Sequence, residues 1–358
     1  MHLQALIFIS LCVLSVNGRA DLKPESLELR FESQSYSSIA SIDQTIHDLE
    51  GKPVKNGNIA FTHNQLEVTA TKSEFEYSLF QRYDYYLKFN NDTAELAYLL
   101  RNDLPVPTNR HYDVYLKPNH IRAWGLGLAR KIDITPQLKS KIRANYLRAD
   151  KTTNGYLKGQ FQSLDDGYQA QLHLDYGYSR DTLLDRKEED TDGHGVSLDF
   201  DIEWQASETL TLGLQGRDVL SYIKFKNLTY TQANADTNTV SFDSNGAIDT
   251  KPTISGIEGY RDQTQHLPHR YIINGQYSLN KDSDITSQLF SYNKVIFPRL
   301  GYSSKTQFFA WHTDYDFRSK AIGIIISHPL ASFSVRSDSL KWETAQMLEF
   351  SISSNIKF

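Results

Sequence analysis

Apolar and polar residues alternate along most of this chain. Residues 196–205 give the clearest case, because every second side chain there is apolar and each one between is polar. Successive side chains of a strand point to opposite faces, so this pattern predicts a strand with one apolar and one polar face. Similar patterns recur at residues 75–89, 121–132, 138–148 and 168–179.

The strand patterns are joined by connections that are alternately short and long, which predicts an antiparallel meander. We count about 14 strands, with 12 or 16 also open because residues 26–116 and 220–259 are ambiguous. Strands of about 9–11 residues are long enough to cross a bilayer when they are tilted. The predicted fold is therefore all-β: a closed antiparallel up-and-down transmembrane β-barrel that forms a single domain over residues 21–358. Long polar extracellular loops are expected near residues 180–195 and 231–265.

The first twenty residues are typical of a secretory signal peptide. An apolar run is followed by Gly18 and Ala20, small residues suited to cleavage. The single cysteine of the chain, Cys12, lies in this segment, so residues 21–358 can form neither disulfides nor thiolate metal sites. Loss of Arg19 changes the net charge from −5 to −6, and an acidic chain without a basic cluster argues against a nucleic-acid partner.

The final strand pattern places four apolar residues two or four positions apart, with polar residues between them: Phe350, Ile352, Ile356 and Phe358. This segment resembles the last strand of Gram-negative outer-membrane β-barrels, which alternates in this way and ends on an aromatic residue. The resemblance implies that the barrel-insertion machinery reads this strand. It also implies an outer-membrane location in contact with membrane lipid and lipopolysaccharide.

Alternation alone fits a soluble β-sandwich equally well. A sandwich buries its apolar faces and exposes its polar faces to water, whereas a membrane barrel exposes its apolar faces to lipid and encloses its polar faces. The signal segment, the terminal phenylalanine, the unequal loops and the 21 tyrosines favour the membrane barrel.

Two rows of charged residues lie on predicted polar faces. If the apolar faces contact lipid, both rows line the lumen. The acidic positions are Asp175, Asp199, Asp201 and Glu203, and the basic positions are Lys139, Lys141, Arg143 and Arg217. The basic row is expected some strands away from the acidic row, where the two could set up a field across a water-filled pore and sort solutes by charge. Alternatively, the rows pair through intervening strands and fill a closed barrel with salt bridges. On another inward face, Gly125 and Gly127 leave room beside their strand or accommodate a neighbouring bulge.

The chain offers little that would support catalysis or metal binding. His194 and Ser197 are three positions apart and so point to opposite faces of a strand, unlike the His/Ser pair of an outer-membrane lipase. We interpret His266 and His269 as two solvated histidines and not as a metal site. Residues 188–199 depart from the calcium-loop pattern and indicate a solvated acidic loop. We therefore predict no enzyme activity, no cofactor and no metal site.

The polar lumen predicts a pore or channel for small polar solutes or for an envelope product. The alternative is a non-conducting structural or assembly component of an envelope or surface machine, which would bind an envelope partner.

Overall fold

The computed structural model describes residues 24–165, 167–180, 191–237, 240–242, 248–250 and 253–358, so the predicted signal segment at 1–20 lies outside the described residues. The strands are β1 Ser26–Ser37, β2 Ile59–Lys72, β3 Phe75–Phe89, β4 His111–Thr135, β5 Leu138–Leu164, β6 Gly167–Tyr178, β7 Gly193–Gln205, β8 Leu210–Asp236, β9 Val240–Phe242, β10 Ile248–Thr250, β11 Ile254–Gln265, β12 Arg270–Asn280, β13 Ser283–Tyr292, β14 Val295–Lys305, β15 Ala310–Asp316, β16 Ala321–His328, β17 Ala331–Ser337 and β18 Met347–Lys357. The helices are α1 Ile42–Ile46, α2 Asn91–Arg101 and a 3₁₀ helix at Trp342–Thr344.

Fourteen strands form a closed antiparallel ring in the described part of the chain. The ring runs through β1 to β5, then β7, β8 and β12 to β18. The last strand pairs with the first over eleven residue pairs from Ser26↔Lys357 to Tyr36↔Met347, which closes the sheet. The predicted fold class and the count of about 14 strands are confirmed.

The wall of the ring is much taller on one side than on the other. β4 has 25 residues, and β5 and β8 have 27 each. β6 pairs with the upper parts of β5 and β8, and β11 pairs with the upper part of β8. These segments form a protrusion above the ring. On the other side β15, β16 and β17 have only 7, 8 and 7 residues.

All turns at one end of the ring have two to four residues, whereas most connections at the other end are longer. In barrels of the outer membrane the short turns face the periplasm, so we call this the periplasmic end and the other the extracellular end.

The outer face of the ring is apolar. Leu126 on β4, Ile273 on β12 and Ile324 on β16 are each about half exposed, at 57%, 52% and 46%. Their strand neighbours of opposite parity point inward and are mostly polar. A closed sheet leaves no unpaired strand edge in lipid, and its apolar outside contacts the acyl chains. The protein is an integral β-barrel of the Gram-negative outer membrane, as predicted.

None of the helices in the described ranges has the length and apolar character needed to cross a membrane.

Helix α2 begins at residues 90–92, whose Asn and Asp composition is also typical of a tight turn. The Asn90 side chain accepts a hydrogen bond from the Thr93 backbone N–H at 3.0 Å and so caps the helix. Ala94, Leu96 and Tyr98 are buried on one face of the helix. The asparagine is therefore a helix cap and not a turn residue.

The predicted loop at residues 231–265 is strand at both ends. β8 continues to Asp236 and β11 begins at Ile254, so the connection covers 237–253 and contains the short pair β9 and β10. These strand ends stand above the bilayer, where water wets both faces and the apolar alternation fades. In the other predicted loop, 180–195, residues 181–190 lie outside the described residues and β7 begins at Gly193.

Candidate functional site: the barrel lumen

An aromatic layer crosses the lumen near the extracellular end of the ring. Phe61 of β2 stacks on Tyr292 of β13 with ring centroids 4.2 Å apart. Tyr36 of β1 meets Phe297 of β14 edge to face at 5.0 Å. These strands are not neighbours in the sheet, so the contacts span the lumen. We call the six aromatic residues of this buried cluster the septum: Tyr36, Phe61, Tyr86, Phe290, Tyr292 and Phe297.

A layer of charged side chains lies directly beneath the septum on its periplasmic side. Arg82 of β3 donates two hydrogen bonds to the Asp218 carboxylate of β8, at 2.9 and 2.7 Å. Arg270 of β12 lies 3.3 Å from Glu32 of β1. We call the following six residues the ionic layer: Glu32, His63, Arg82, Asp84, Asp218 and Arg270. Pairing on this scale is what permits charged groups to be buried away from water.

The two remaining members of the ionic layer connect its ion pairs. The ring nitrogens of His63 hydrogen-bond to the carboxylates of Asp84 and Glu32, the latter at 2.9 Å. Asp84 also lies 2.9 Å from Arg82. The layer is therefore continuous from β1 through β2 and β3 to β8.

A β-bulge places Asp218 in the lumen. The pairing of β7 with β8 shifts register between Leu198 and Phe200, and Asp218 has a φ of 54°. Its backbone N–H donates to the Asp199 carboxylate at 2.8 Å. A bulge inserts one extra residue and redirects a side chain. Here the redirected carboxylate reaches Arg82 of β3, four strands away in the ring.

A cavity of about 480 Å³ lies on the periplasmic side of the ionic layer; we call it the lower cavity. A second cavity of about 1000 Å³ lies on the extracellular side, where Ile59, Tyr86 and Asp218 line it together with outer-face side chains such as Val196 and Leu220, so it extends to the outside of the wall; we call it the upper cavity. The two cavities have no lining residue in common. Side chains of the septum and of the ionic layer border both cavities and lie between them.

The predicted acidic and basic rows are direct neighbours. β5 pairs with β7, whereas the sequence interpretation put the rows some strands apart; the reason is that β6 pairs only above the ring and does not separate them. Lys141 lies 3.2 Å from Asp201, and Arg217 lies 2.6 Å from the same carboxylate. The Asp201 carboxylate therefore has two ion-pair partners at the barrel wall.

The other members of the rows have partners of different kinds. Arg143 reaches Glu67 of β2 at 2.7 Å. The buried Asp199 accepts from the Asn145 amide at 2.9 Å. Lys139 and Glu203 are opposite each other in register near the periplasmic end, where both are exposed.

Asp175 lies in the protrusion, above the fourteen-strand ring. It accepts hydrogen bonds from Arg261 at 2.6 Å and from Gln232 at 2.8 Å. Burial raises the pKa of the Asp175 carboxyl, but these hydrogen bonds and the Arg261 charge lower it by more, so its pKa lies below the usual value. This pair holds β6, β8 and β11 together outside the membrane.

The C-terminal apolar residues all lie on the outer face of the ring. Ile352, Ile356 and Phe358 are about half exposed. Phe350 packs between Phe333 of β17 and Phe31 of β1, with centroids 5.3 and 6.2 Å away. This row therefore covers the seam at which the ring closes.

The residues considered for catalysis or metal binding do not come together. His194 is exposed beside Asp192 and Tyr146, while Ser197 is buried on the opposite face. His266 contacts the Ser221 carbonyl and does not converge with other metal-binding groups. No group of three or more His, Cys, Asp or Glu side chains in the described ranges is arranged to hold a metal ion.

The septum and the ionic layer were not predicted from the sequence. The alternating pattern at residues 75–89 predicts a strand but does not single out Arg82 or Asp84, which share the inward face of β3 with Phe80 and Tyr86. An available signal was the presence of charged residues among aromatic ones on the inward face. Only the folded ring shows that their partners come from β2, β8 and β12.

No protein-family model and no curated protein matches the chain. Among solved structures the chain is similar to the P. putida toluene transporter TodX, with 8% identity, a TM-score of 0.47, and 94% of this chain and 91% of that chain covered. It is also similar to a Pseudomonas aeruginosa FadL homologue, with 11% identity and a TM-score of 0.38; the match covers 93% of this chain and 90% of that chain. A third similar structure is the CymD monoaromatic hydrocarbon channel, with 9% identity and a TM-score of 0.28; the match covers 94% of this chain and 89% of that chain. With TM-scores below 0.5, these similarities carry no argument about what this chain transports.

Proposed function

We propose that this protein is a gated outer-membrane channel for small polar solutes and that the septum holds it closed. The observation that carries the proposal is the pair of cavities on opposite sides of the septum and the ionic layer. A barrel with a purely structural lumen needs no compartments, whereas a channel with a gate has one on each side of it.

The septum is built so that a local movement of its rings opens a route through it. The septum depends on a few ring contacts that span the lumen, chiefly Phe61 against Tyr292 and Tyr36 against Phe297. The ring itself is held by backbone hydrogen bonds that these contacts do not share. The aromatic rings can therefore separate while the barrel stays closed as a sheet.

The first test is conductance in planar bilayers. We expect the refolded wild-type protein to be silent or nearly so, and Phe61→Ala/Tyr292→Ala to pass a steady current, because the stacked pair that spans the lumen is removed. The matched control is Tyr315→Ala/Phe317→Ala, which removes an aromatic pair 5.2 Å apart on the outer face and should stay silent. Folding of every variant is checked by heat-modifiable migration in gels.

A folded but silent Phe61→Ala/Tyr292→Ala variant would contradict the gate. That result would favour the second candidate, a non-conducting structural or assembly component. The specific observation in its favour is that the ionic layer beneath the septum is continuous and buried, with Arg82 and Asp218 exposed by only 4% and 2%.

A further inference from the structure

The lower cavity has the size and the lining of a ligand site. Its volume of about 480 Å³ lies within the range of roughly 300–1,000 Å³ that is usual for small-molecule pockets. Charged, amide and hydroxyl side chains dominate the lining, and Phe290, Ile272 and Ile325 supply apolar wall. The cavity therefore suits a solute with many polar groups and some apolar surface.

The charges that face this cavity are already paired with one another. Arg336 donates to both oxygens of Asp314, at 2.8 and 2.7 Å, and also contacts Glu349. Arg299 lies 3.0 Å from Asp316 and 2.5 Å from Glu349. An ionic solute would have to compete with these pairs, and breaking a buried pair is costly. The lining therefore favours a neutral solute.

Two amides face the cavity without a side-chain partner among the described residues: Asn274 of β12 and Gln215 of β8. Each amide offers an N–H donor and a carbonyl acceptor side by side. A hydroxyl group also donates and accepts, so a row of hydroxyls can satisfy both atoms of an amide at once. Neighbouring Gln276 and Gln288 add further amide groups to the same wall.

Glycines keep this wall open. A Cβ at Gly213 would lie 2.5 Å from the Asn274 side-chain oxygen, and a Cβ at Gly301 would lie 2.6 Å from His312 Nε2. These distances are too short for any side chain to be added without displacing its neighbour. The absence of side chains at both positions lets Asn274 and His312 lie flat along the wall.

We infer that the lower cavity binds neutral polyhydroxylated solutes of mono- or disaccharide size, with Asn274 and Gln215 as the principal hydrogen-bonding groups. This inference rests on the proposed function only in taking the cavity as part of the solute path.

The test measures binding and not transport. Isothermal titration calorimetry uses the detergent-folded full chain with sucrose, with the zwitterionic dipeptide Ala-Ala and with succinate, at equal concentrations. We expect heat of binding for sucrose and at least tenfold weaker binding of the dipeptide and of succinate. Asn274→Leu/Gln215→Leu should weaken sucrose binding at least tenfold. The matched control is Asn64→Leu/Gln81→Leu, which changes the same residue types on the outer face of β2 and β3 and should bind sucrose as the wild type does.

If the double leucine variant folds poorly, Gly213→Ala gives an independent test, because its Cβ displaces the Asn274 amide and should also weaken sucrose binding. Absent sucrose binding, tighter binding of succinate or of the dipeptide, or undiminished binding in the cavity variants would each overturn the inference. The titration does not depend on conductance. Binding in a chain that never conducts would therefore refute the channel alone, and conductance without binding would refute only the solute class.

Discussion

At the scale of single residues, glycines on β4 decide which large side chains the lumen can hold. A Cβ at Gly125 would lie 2.1 Å from the Phe80 ring, and a Cβ at Gly127 would lie 2.5 Å from Arg143 Nε. The sequence already indicated an inward glycine face with spare room. It did not indicate what fills the room, because Phe80 and Arg143 come from the strands on either side.

Gly125→Ala is expected to destabilise the barrel by about 1–3 kcal/mol, the usual cost of overpacking a tight site. The measurement is the urea unfolding midpoint in detergent. Ala144→Val serves as the control, because Ala144 is exposed on the outer face of β5 and has room for two more methyl groups. An equal loss in both variants would show that crowding against Phe80 is not the cause.

The ionic layer makes a second prediction at this scale. Arg82→Ala leaves Asp84 and Asp218 buried without their arginine, and removal of one partner of a buried ion pair costs about 3–5 kcal/mol. Arg82→Ala/Asp218→Ala should recover part of that loss of unfolding free energy in the same assay, because one of the two buried carboxylates left without its arginine is also removed.

The control for this pair is Arg122→Ala. Arg122 lies 2.7 Å from Asp150, but both side chains are more than a third exposed, at 38% and 44%. Solvent screens such a pair, so the change should cost no more than about 1 kcal/mol. A loss as large as that of Arg82→Ala would contradict the role given to burial.

At the scale of elements, the strand segments inside the bilayer were predictable, and so was β6 in the protrusion, but the upper parts of β4, β5 and β8 were not. The alternation that revealed β7 exists because lipid wets one face and the lumen the other. In the upper parts of β4, β5 and β8 one face meets water in place of lipid and the other packs on buried side chains such as Tyr112 and Leu228. The pattern therefore differs from that of the bilayer strands, and the predicted strands are too short. The turn before β14 is weakly marked in the sequence for a different reason, because it uses Asn293 and Lys294 at φ values of 45° and 76° and lysine is not typical of such a turn.

The protrusion formed by these upper segments should lose stability in acid. Because the pKa of Asp175 is lowered in the folded protein, its stabilisation is present above the unfolded pKa of about 3.9 and is lost as the pH falls through the folded value. Asp175→Asn is expected to cost about 1–2 kcal/mol at pH 7 and progressively less below pH 4. The measurement is the urea midpoint from pH 3 to pH 7.

The control for the acid series is Asp133→Asn, at an exposed position near the periplasmic end of β4. Its difference from the wild type should stay small throughout. A difference for Asp175→Asn that grows as the pH falls would have the wrong sign and would refute the role of the Arg261 pair.

At the scale of the whole molecule, the closed barrel could be predicted from the sequence because the alternation within each strand shows which of its faces is apolar and which is polar. The interior did not follow, because the septum and the ionic layer join residues from strands far apart along the chain, such as Phe61 with Tyr292. No local pattern encodes which inward side chains meet across a lumen. The predicted charged rows illustrate this limit: their residue types were evident, but the neighbouring position of β5 and β7 was not.

The low side of the wall has a consequence for the surrounding lipids. A tilted strand needs about 9–11 residues to cross the hydrocarbon, and β15, β16 and β17 have 7, 8 and 7. This is a hydrophobic mismatch on one flank only, and a bilayer meets a short span by thinning beside it. We therefore expect the bilayer to be thinner next to β15–β17 than next to β4–β8. We also expect lipids with short acyl chains to be enriched along this thinner flank.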